Sequence, residues 1–250
     1  MQLVHGALQD APPAIGGMPR NASGRAKLGG SVWHTRCHRH GMTHSHDDRS
    51  KSLADRVWGI SQRLIAAAMI VILSPVIVLI AVLVRATSRG PAVFRQTRPG
   101  FRGRPFTALK FRTMFTGSER ATRLGVSNSD PRITPLGRLL RSTKLDELPQ
   151  LFNIALGHMA WVGPRPIPHA LDKELRHHIR GFESRYSVLP GLTSLAQVCV
   201  SDNGLDDRLV QDWSMRFEAE RRYMRNKSAS YDLLVLGLTC AYVIRKVVKK

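Results

Sequence analysis

One segment of this chain is much more apolar than the rest, and it limits what the chain can fold into. Residues 64–84 read LIAAAMIVILSPVIVLIAVLV and contain no charged side chain. About 20 consecutive apolar residues are enough for a helix to cross the hydrocarbon core of a bilayer. The sequence therefore predicts a membrane helix, with Ser74 and Pro75 near its midpoint.

Two features of this segment bear on how the helix sits in the membrane. Pro75 lacks an N–H and clashes with the preceding turn, so a break is expected at Ser74-Pro75, where Ser74 is a candidate partner for the freed backbone groups. Both flanks are basic, whereas a spanning helix prefers its positive flank on the cytoplasmic side. A re-entrant helix over residues 51–90 satisfies both flanks, and a kinked spanning helix remains the alternative. The basic residues are Arg49, Lys51, Arg56 and Arg63 before the segment, and Arg85, Arg89, Arg95 and Arg98 after it.

Residues 1–50 have a different composition, rich in Gly, Pro, Ala, His and Arg and without hydrophobic periodicity. Such a composition predicts a disordered tail. The tail has no apolar stretch behind its N-terminus, so it does not resemble a signal peptide. Five histidines near Cys37 offer metal ligands, but no closed ligand spacing is present, which favours a solvated tail. They are His34, His38, His40, His44 and His46.

The chain has a formal net charge of +20, which indicates a polyanionic partner such as nucleic acid, anionic lipid headgroups or phosphorylated substrates. Zinc-finger spacing and an RNA-recognition aromatic motif are both missing from the sequence, so nucleic acid is not the expected partner. The three cysteines, Cys37, Cys199 and Cys240, are too far apart for a zinc ribbon or a disulfide framework. This spacing favours a protein that faces the cytosol.

After residue 90 the sequence predicts a single helix-rich α/β domain. Two β-leaning runs, 92–98 and 104–114, surround Pro99-Gly100 and predict a hairpin. Thr134-Pro135 has the pattern of an N-cap followed by proline at the first helical position. The apolar run 233–244 with its basic end predicts an interfacial amphipathic helix, and a buried core helix is the alternative. The four other predicted helices cover about 134–141, 146–156, 168–183 and 207–225.

Basic residues that suit phosphate oxygens are dense between residues 95 and 165, although a surface resting on lipid headgroups is an equal interpretation. Among them stand two adjacent carboxylates, Asp146 and Glu147, at a predicted helix start. Locally they fit an N-cap followed by a first-turn acid. They also fit chemistry, because an ionised carboxylate among cations can attack phosphorus while its neighbour holds a divalent cation. The basic residues are Arg95, Arg98, Lys110, Arg112, Arg132, Arg138, Arg141 and Arg165.

Four stretches, taken in order, resemble the bacterial sugar transferase family, the monotopic phosphoglycosyl transferases. The first is the apolar segment with its central Ser-Pro. The others are FRQTRPGFRGRPFTALKFRTM at 94–114, DPRITPLGRLLRSTKLDELPQLFNIALGHMAWVGPRP at 130–166 and PGLTSLAQV at 190–198. One such motif would be weak, but four in family order make a specific match over about residues 51–245.

The resemblance implies a catalytic Asp-Glu pair and a re-entrant helix broken at Ser-Pro. Asp146 would attack the β-phosphate of a UDP-sugar, release UMP and hold the phosphosugar covalently, and undecaprenyl phosphate would then accept the phosphosugar. Glu147 would position Mg²⁺. The candidates for phosphate binding are Lys110, Arg112, Arg141 and Arg165.

By this resemblance the protein is an undecaprenyl-phosphate sugar phosphotransferase on the cytoplasmic face of the bacterial inner membrane. Its step would be the first membrane step of exopolysaccharide, capsule, O-antigen or glycoprotein glycan assembly. Departures from the family pattern, such as Lys144 where serine is common and Ser194 in place of a glycine, leave the sugar undetermined. An inactive membrane scaffold of a glycan-assembly complex and a basic nucleic-acid binder are the alternatives, and a homodimer stays open.

Overall fold

The apolar segment lies within one long helix, α1, Leu53–Thr87. The computed structural model describes residues 53–118, 130–200 and 209–248, so the predicted tail over 1–50 lies outside the described residues. By length and composition, α1 is the one helix in the described part of the chain that is able to cross a membrane. Its apolar side chains are largely exposed, with Val71 and Ile72 both 73% exposed. A continuous apolar surface of this kind is unfavourable in water and indicates a lipid environment.

At the middle of α1 the helix runs through Pro75 without a non-helical residue, so the predicted break is not an interruption of the helix. The Ser74 hydroxyl donates a hydrogen bond to the Val71 carbonyl at 2.7 Å. That carbonyl is the one that Pro75, lacking an N–H, leaves without its helical donor. The expectation that Ser74 replaces a freed backbone partner is therefore confirmed, whereas the re-entrant path stays a prediction.

The predicted hairpin is confirmed. Strands β1 (Val93–Pro99) and β2 (Pro105–Phe111) pair antiparallel, with Phe94 opposite Lys110. A short 3₁₀ turn, Phe101–Gly103, connects them.

Helix α2 (Pro135–Thr143) begins as the sequence predicts. The Thr134 side chain accepts a hydrogen bond from the Gly137 N–H, and Pro135 follows it at the first helical position. A Cβ atom on Gly137 would lie 2.2 Å from the Thr113 carbonyl oxygen, so only glycine lets α2 pack this closely against the end of the hairpin. Lys144, in the left-handed conformation at φ 62°, ends the helix.

Two predicted helices are shorter in the structure. The helix expected over 146–156 is a 3₁₀ turn, Leu145–Glu147, followed by α3 (Gln150–Ala155), because Pro149 cannot donate to a continuous helix. The helix expected over 168–183 is α4 (His169–His178), followed by a 3₁₀ segment, Phe182–Ser187. Gly181 at φ 73° directs the chain out of the helical path between these two elements.

A second sheet was not predicted. Strand β3 (Ala160–Val162) pairs parallel with β4 (Gly191–Thr193), and both strands are too short for side-chain alternation to mark them. A Cβ atom on Gly191 would lie 2.1 Å from the Gly163 nitrogen, so the two chain segments approach each other at glycine. The remaining helices are α5 (Leu195–Cys199), α6 (Leu209–Arg225) and α7 (Ala229–Val248).

The largest apolar cluster joins α4, α6 and α7 around β3, with Leu175, Phe182, Phe217 and Val235 at its centre. Two smaller clusters attach α1 to this domain, one against α3 and one against β2 and α2. Helix α7 buries Val235 and exposes other apolar residues, so it is amphipathic, and its interfacial position stays a prediction. The helix-rich α/β class with small sheets is confirmed.

Candidate active site

The turn that carries Asp146 and Glu147 is positioned by a buried amide on α3. The Asn153 side-chain oxygen accepts from the Leu109 N–H at 3.0 Å, and its nitrogen donates to the Thr107 carbonyl at 2.7 Å. These bonds fasten α3 to strand β2. Because the turn directly precedes α3, they also bring Glu147 next to Lys110.

Glu147 is 8% exposed and lies between two cations. Its Oε1 is 3.0 Å from Lys110 Nζ and 2.5 Å from Arg165 Nη2, and its Oε2 is 3.4 Å from Arg165 Nη1. Burial acts to raise the pKa of Glu147, but Arg165 and Lys110 together hold it well below its usual range. Glu147 is therefore an ionised carboxylate fixed in a forked ion pair.

Asp146 has a different environment, although it is the adjacent residue and is 7% exposed. Its Oδ1 atom is buried and has no hydrogen-bond partner. Burial raises the pKa of Asp146, the charge of Glu147 adds to the rise, and nearby cations oppose it. This carboxylate therefore keeps one oxygen that no described donor satisfies.

Neither carboxylate acts as a helix cap. The N-cap of the 3₁₀ turn is Lys144 and that of α3 is Pro149, and neither end has a side-chain cap hydrogen bond. The alternative of a capping residue followed by a first-turn acid is therefore not what the geometry shows.

The positive charge at this site exceeds the charge of its two carboxylates. Burial and Arg165 lower the pKa of Lys110 to about 8, and the same two causes lower the pKa of Arg98 to about 10. Cations that disfavour one another in this way are stabilised by an added anion such as a phosphate group. The cationic side chains that act on the carboxylate pair or on one another are Arg98, Lys110, Arg141, Lys144 and Arg165.

Of the four predicted phosphate-binding residues, the structure gathers three around the carboxylate pair: Lys110, Arg165 and Arg141. Arg141 is held by Thr113, whose hydroxyl accepts from its Nε at 3.1 Å. Arg112 is directed elsewhere, because its Nη2 donates to the Ser88 carbonyl at 2.7 Å at the end of α1. The same nitrogen also donates to the Val84 carbonyl in the last turn of α1 at 3.3 Å.

The other basic candidates differ in their surroundings. Arg98 lies beside Arg165 and donates to the Pro166 carbonyl. Arg132 pairs with Asp130 at 2.6 Å. Arg95 and Arg138 are exposed.

Two residues that the sequence reasoning missed hold the backbone of Arg165. Glu220 on α6 accepts from its N–H, and Arg185 in the 3₁₀ segment donates to its carbonyl. No local motif marks either residue. Glu220 stands among alternating charges of α6, and Arg185 lies in a short polar stretch.

In the described part of the chain, no group of three or more His, Cys, Asp or Glu side chains is arranged to hold a metal ion. The histidines of the predicted tail lie outside that part. A divalent cation at this site would combine a carboxylate oxygen with oxygens of a bound phosphate. Glu147 Oε2, whose contact with Arg165 Nη1 is long at 3.4 Å, fits that requirement.

Comparison with known proteins places the site in a family. The family described as bacterial sugar transferase matches residues 53–246. The chain is 36% identical over 178 residues to the UDP-glucose:undecaprenyl-phosphate glucose-1-phosphate transferase of Klebsiella pneumoniae, covering 70% of this chain and 37% of that protein. It is 38% identical over 171 residues to the protein of the same name from Caulobacter vibrioides, covering 68% and 63%.

A third relative acts on a different sugar by its name. It is the UDP-N-acetylgalactosamine-undecaprenyl-phosphate N-acetylgalactosaminephosphotransferase of Aeromonas hydrophila, 33% identical over 181 residues, with 72% of this chain and 42% of that protein covered. The chain thus spans between about a third and two thirds of the length of these relatives. The family match contains α1, the hairpin, both carboxylates and the cations around them, and so the chain belongs to the bacterial sugar transferase family.

Proposed function

We propose that this protein transfers a phosphosugar from a UDP-sugar to undecaprenyl phosphate, with Asp146 as the nucleophile. The observation that carries the proposal is the buried, unpartnered Oδ1 of Asp146 inside a cluster of cations. An oxygen already bonded to an arginine, as in Glu147, would be a poorer nucleophile. The names of the relatives support a common polyprenyl acceptor and a sugar that varies.

The reaction has two displacements at the same phosphorus. In the first, an Asp146 oxygen bonds to the β-phosphorus, the bond to the bridging oxygen breaks, and UMP leaves with the electron pair. In the second, a phosphate oxygen of undecaprenyl phosphate bonds to that phosphorus and the bond to Asp146 breaks. The carboxylate is regenerated, and the product is a diphosphate-linked lipid sugar.

The cations supply the electrostatic part of this mechanism. Charge accumulates on the phosphoryl oxygens in each displacement, and preorganised cations in a buried site stabilise it. Lys110 and Arg165 also keep Glu147 ionised and in place. Mg²⁺, held by Glu147 Oε2 and phosphate oxygens, would neutralise part of the diphosphate charge when bound.

The contacts of α1 support a re-entrant path through the membrane. Near its start, Trp58 donates to Asp232 at 2.8 Å, and near its end the Val84 carbonyl accepts from Arg112. Its middle also packs on the domain, through Ala66 against α3 and Ile80 against β2. The helix therefore contacts one domain along its whole length.

The extent of these contacts supports the re-entrant path over a spanning one. In a straight helix, residues 58–84 extend about 40 Å, whereas the hydrocarbon core is about 30 Å thick. A domain on one side of the bilayer cannot follow a helix across that distance. Together with the two basic flanks, this supports entry and exit on the cytoplasmic face.

Topology can be tested with site-specific labels at Arg56 and Arg89, probed in right-side-out and inside-out vesicles. Both labels should react with an impermeant reagent from the cytoplasmic side only. Labels that react from opposite sides would mean that α1 spans the membrane.

Activity can be tested with purified protein in lipid nanodiscs and a panel of UDP-sugars, using UMP release as the readout. Without acceptor, intact-mass analysis should find a phosphosugar adduct on the wild-type chain and none on Asp146→Asn. Asp172→Asn is the matched control, because Asp172 is also a buried carboxylate, bonded instead to Tyr186. This control should keep the adduct. UMP release by Asp146→Asn at the wild-type rate would remove Asp146 as the nucleophile.

A further inference from the structure

The backbone of Arg165 is bonded on both sides by one buried ion pair. Its N–H donates to Glu220 Oε1 at 3.1 Å, and its carbonyl accepts from Arg185 Nη2 at 2.7 Å. The same two atoms, Arg185 Nη2 and Glu220 Oε1, are 3.0 Å apart. The three groups form a closed triangle of hydrogen bonds.

The pair is deeply buried and held in place by aromatic rings. The side chains of Arg185 and Glu220 are 3% and 1% exposed. The Arg185 guanidinium lies 4.7 Å from the Phe182 ring centroid and 5.7 Å from that of Trp213. Such stacking leaves the guanidinium little freedom to rotate.

The chain around Arg165 is restricted by other means as well. Prolines on both sides have a fixed φ, and a residue before proline is kept out of the helical region. On the N-terminal side, the Pro164 carbonyl accepts from the Gly191 N–H at 3.0 Å. The peptide plane before Arg165 is therefore held through its carbonyl, and Glu220 bonds the N–H of the same plane. Arg185 bonds the carbonyl of the peptide plane after Arg165, so the ion pair restrains both planes.

The hydrogen-bonding capacity of the Arg185–Glu220 pair is only partly used. Glu220 Oε2 and Arg185 Nη1 are buried without a hydrogen-bond partner. A buried ion pair contributes little net stability compared with apolar side chains of the same volume, and unsatisfied atoms reduce it further. Its distinctive effect is therefore geometric: it sets the direction of the Arg165 side chain, which binds Glu147.

We propose that Arg185 and Glu220 are positioning residues, which act on the reaction only through Arg165. They hold its backbone so that the guanidinium stays on Glu147 and faces the phosphate site. This inference rests on the proposed function for its catalytic readout, and on the structure alone for its conformational readout.

The catalytic test is a double-mutant cycle between Glu220→Leu and Arg165→Ala, measured as kcat/KM for UMP release. Glu220→Leu should lower kcat/KM about 100-fold, the size of loss that a misplacement of about 1 Å can cause. Glu220→Gln keeps an oxygen that accepts both hydrogen bonds and should retain most of the activity. In the Arg165→Ala background, Glu220→Leu should cause no further loss, although it should still lower Tm. Additive losses in the cycle would overturn the proposal.

The conformational test is hydrogen exchange of the Arg165 backbone amide. Protection should fall in Glu220→Leu and be kept in Glu220→Gln. Asp232→Asn is the control for a buried acid lost elsewhere, since Asp232 bonds Trp58 and Tyr223. It should lower Tm without changing kcat/KM or the Arg165 protection.

The two proposals fail in different ways. If the wild-type chain released UMP from no UDP-sugar, the proposed function would be wrong, but the exchange result would still decide the positioning role. If the chain is active and Glu220→Leu leaves the protection of the Arg165 amide unchanged, the positioning role is wrong and the proposed function stands.

Discussion

Arg165 contacts two buried carboxylates that differ in the charge of their surroundings. Its guanidinium binds Glu147 in the active site, and its backbone N–H binds Glu220 on α6. Around Asp146 and Glu147 the cations outnumber the carboxylates, whereas Glu220 forms a one-to-one ion pair with Arg185. An excess of positive charge favours an anionic ligand, and a balanced pair favours a fixed geometry.

The secondary-structure elements that carry these carboxylates also differ in length and rigidity. Glu220 lies in a helix of 17 residues, α6, which resists local movement. Asp146 and Glu147 lie in a 3₁₀ turn of three residues between Lys144 and Pro149. A short turn keeps the carboxylates out of regular capping bonds, and one oxygen of Asp146 has no hydrogen-bond partner.

The largest effect is expected at the nucleophile. Asp146→Asn should reduce UMP release at least about 1,000-fold, because an amide cannot form the phosphoenzyme intermediate. The free energy of unfolding should change by less than about 1 kcal/mol, since burial already disfavours the charge of Asp146 more than the nearby cations favour it. A large loss of stability would mean that Asp146 has mainly a structural role.

The next effect concerns the stability of the balanced pair. Glu220→Leu leaves Arg185 as a buried, unpaired charge and should lower the free energy of unfolding by about 3–5 kcal/mol. The double variant Arg185→Met/Glu220→Leu should recover much of that loss in chemical denaturation. A double variant that is no more stable than the single one would contradict the idea that the pair contributes little net stability.

The pH dependence of kcat/KM distinguishes Asp146 from Glu220. Asp146 must be ionised to react, and burial raises its pKa. As the pH is lowered, kcat/KM should therefore begin to fall at a higher pH than it would for an ordinary aspartate. Lys110 must be protonated, and its pKa is about 8, so kcat/KM should fall about tenfold per pH unit above that value. Lys110→Arg should remove the alkaline limb.

Burial also raises the pKa of Glu220. The acid limb should nevertheless persist in Glu220→Gln, which cannot titrate at that position. Disappearance of the limb in this variant would assign it to Glu220 instead of Asp146.

The smallest effect is expected at Lys144, which starts the turn in the left-handed conformation at φ 62°. Lys144→Gly relieves about 1–2 kcal/mol of backbone strain and adds unfolded-state entropy of similar size, so stability should change by less than about 1 kcal/mol. Losing one exposed charge near Asp146 should lower kcat/KM at most about fivefold. A larger kinetic loss would show that Lys144 contacts the substrate.

Much of the fold follows from signals within a few residues of each other. The hairpin was predictable from its turn residues, and α2 from Thr134-Pro135, because a cap and a proline act on their immediate neighbours. The helix predicted at 146–156 was wrong in extent, since Pro149 changed a first turn into a separate 3₁₀ turn. The β3–β4 pair was not predictable, because three-residue strands have no readable period.

The sequence by itself determined the membrane helix, the hairpin, the adjacent carboxylates and the family motifs, since each depends on residue types at short spacing. The tertiary structure decided that Asp146 keeps an oxygen without a hydrogen-bond partner, that Arg165 binds Glu147 and that Arg112 bonds the end of α1. Those outcomes depend on burial and charge, and both are set by residues far apart in the chain. Glu220 acts on Arg165 across 55 positions. The sequence around either residue does not predict that contact.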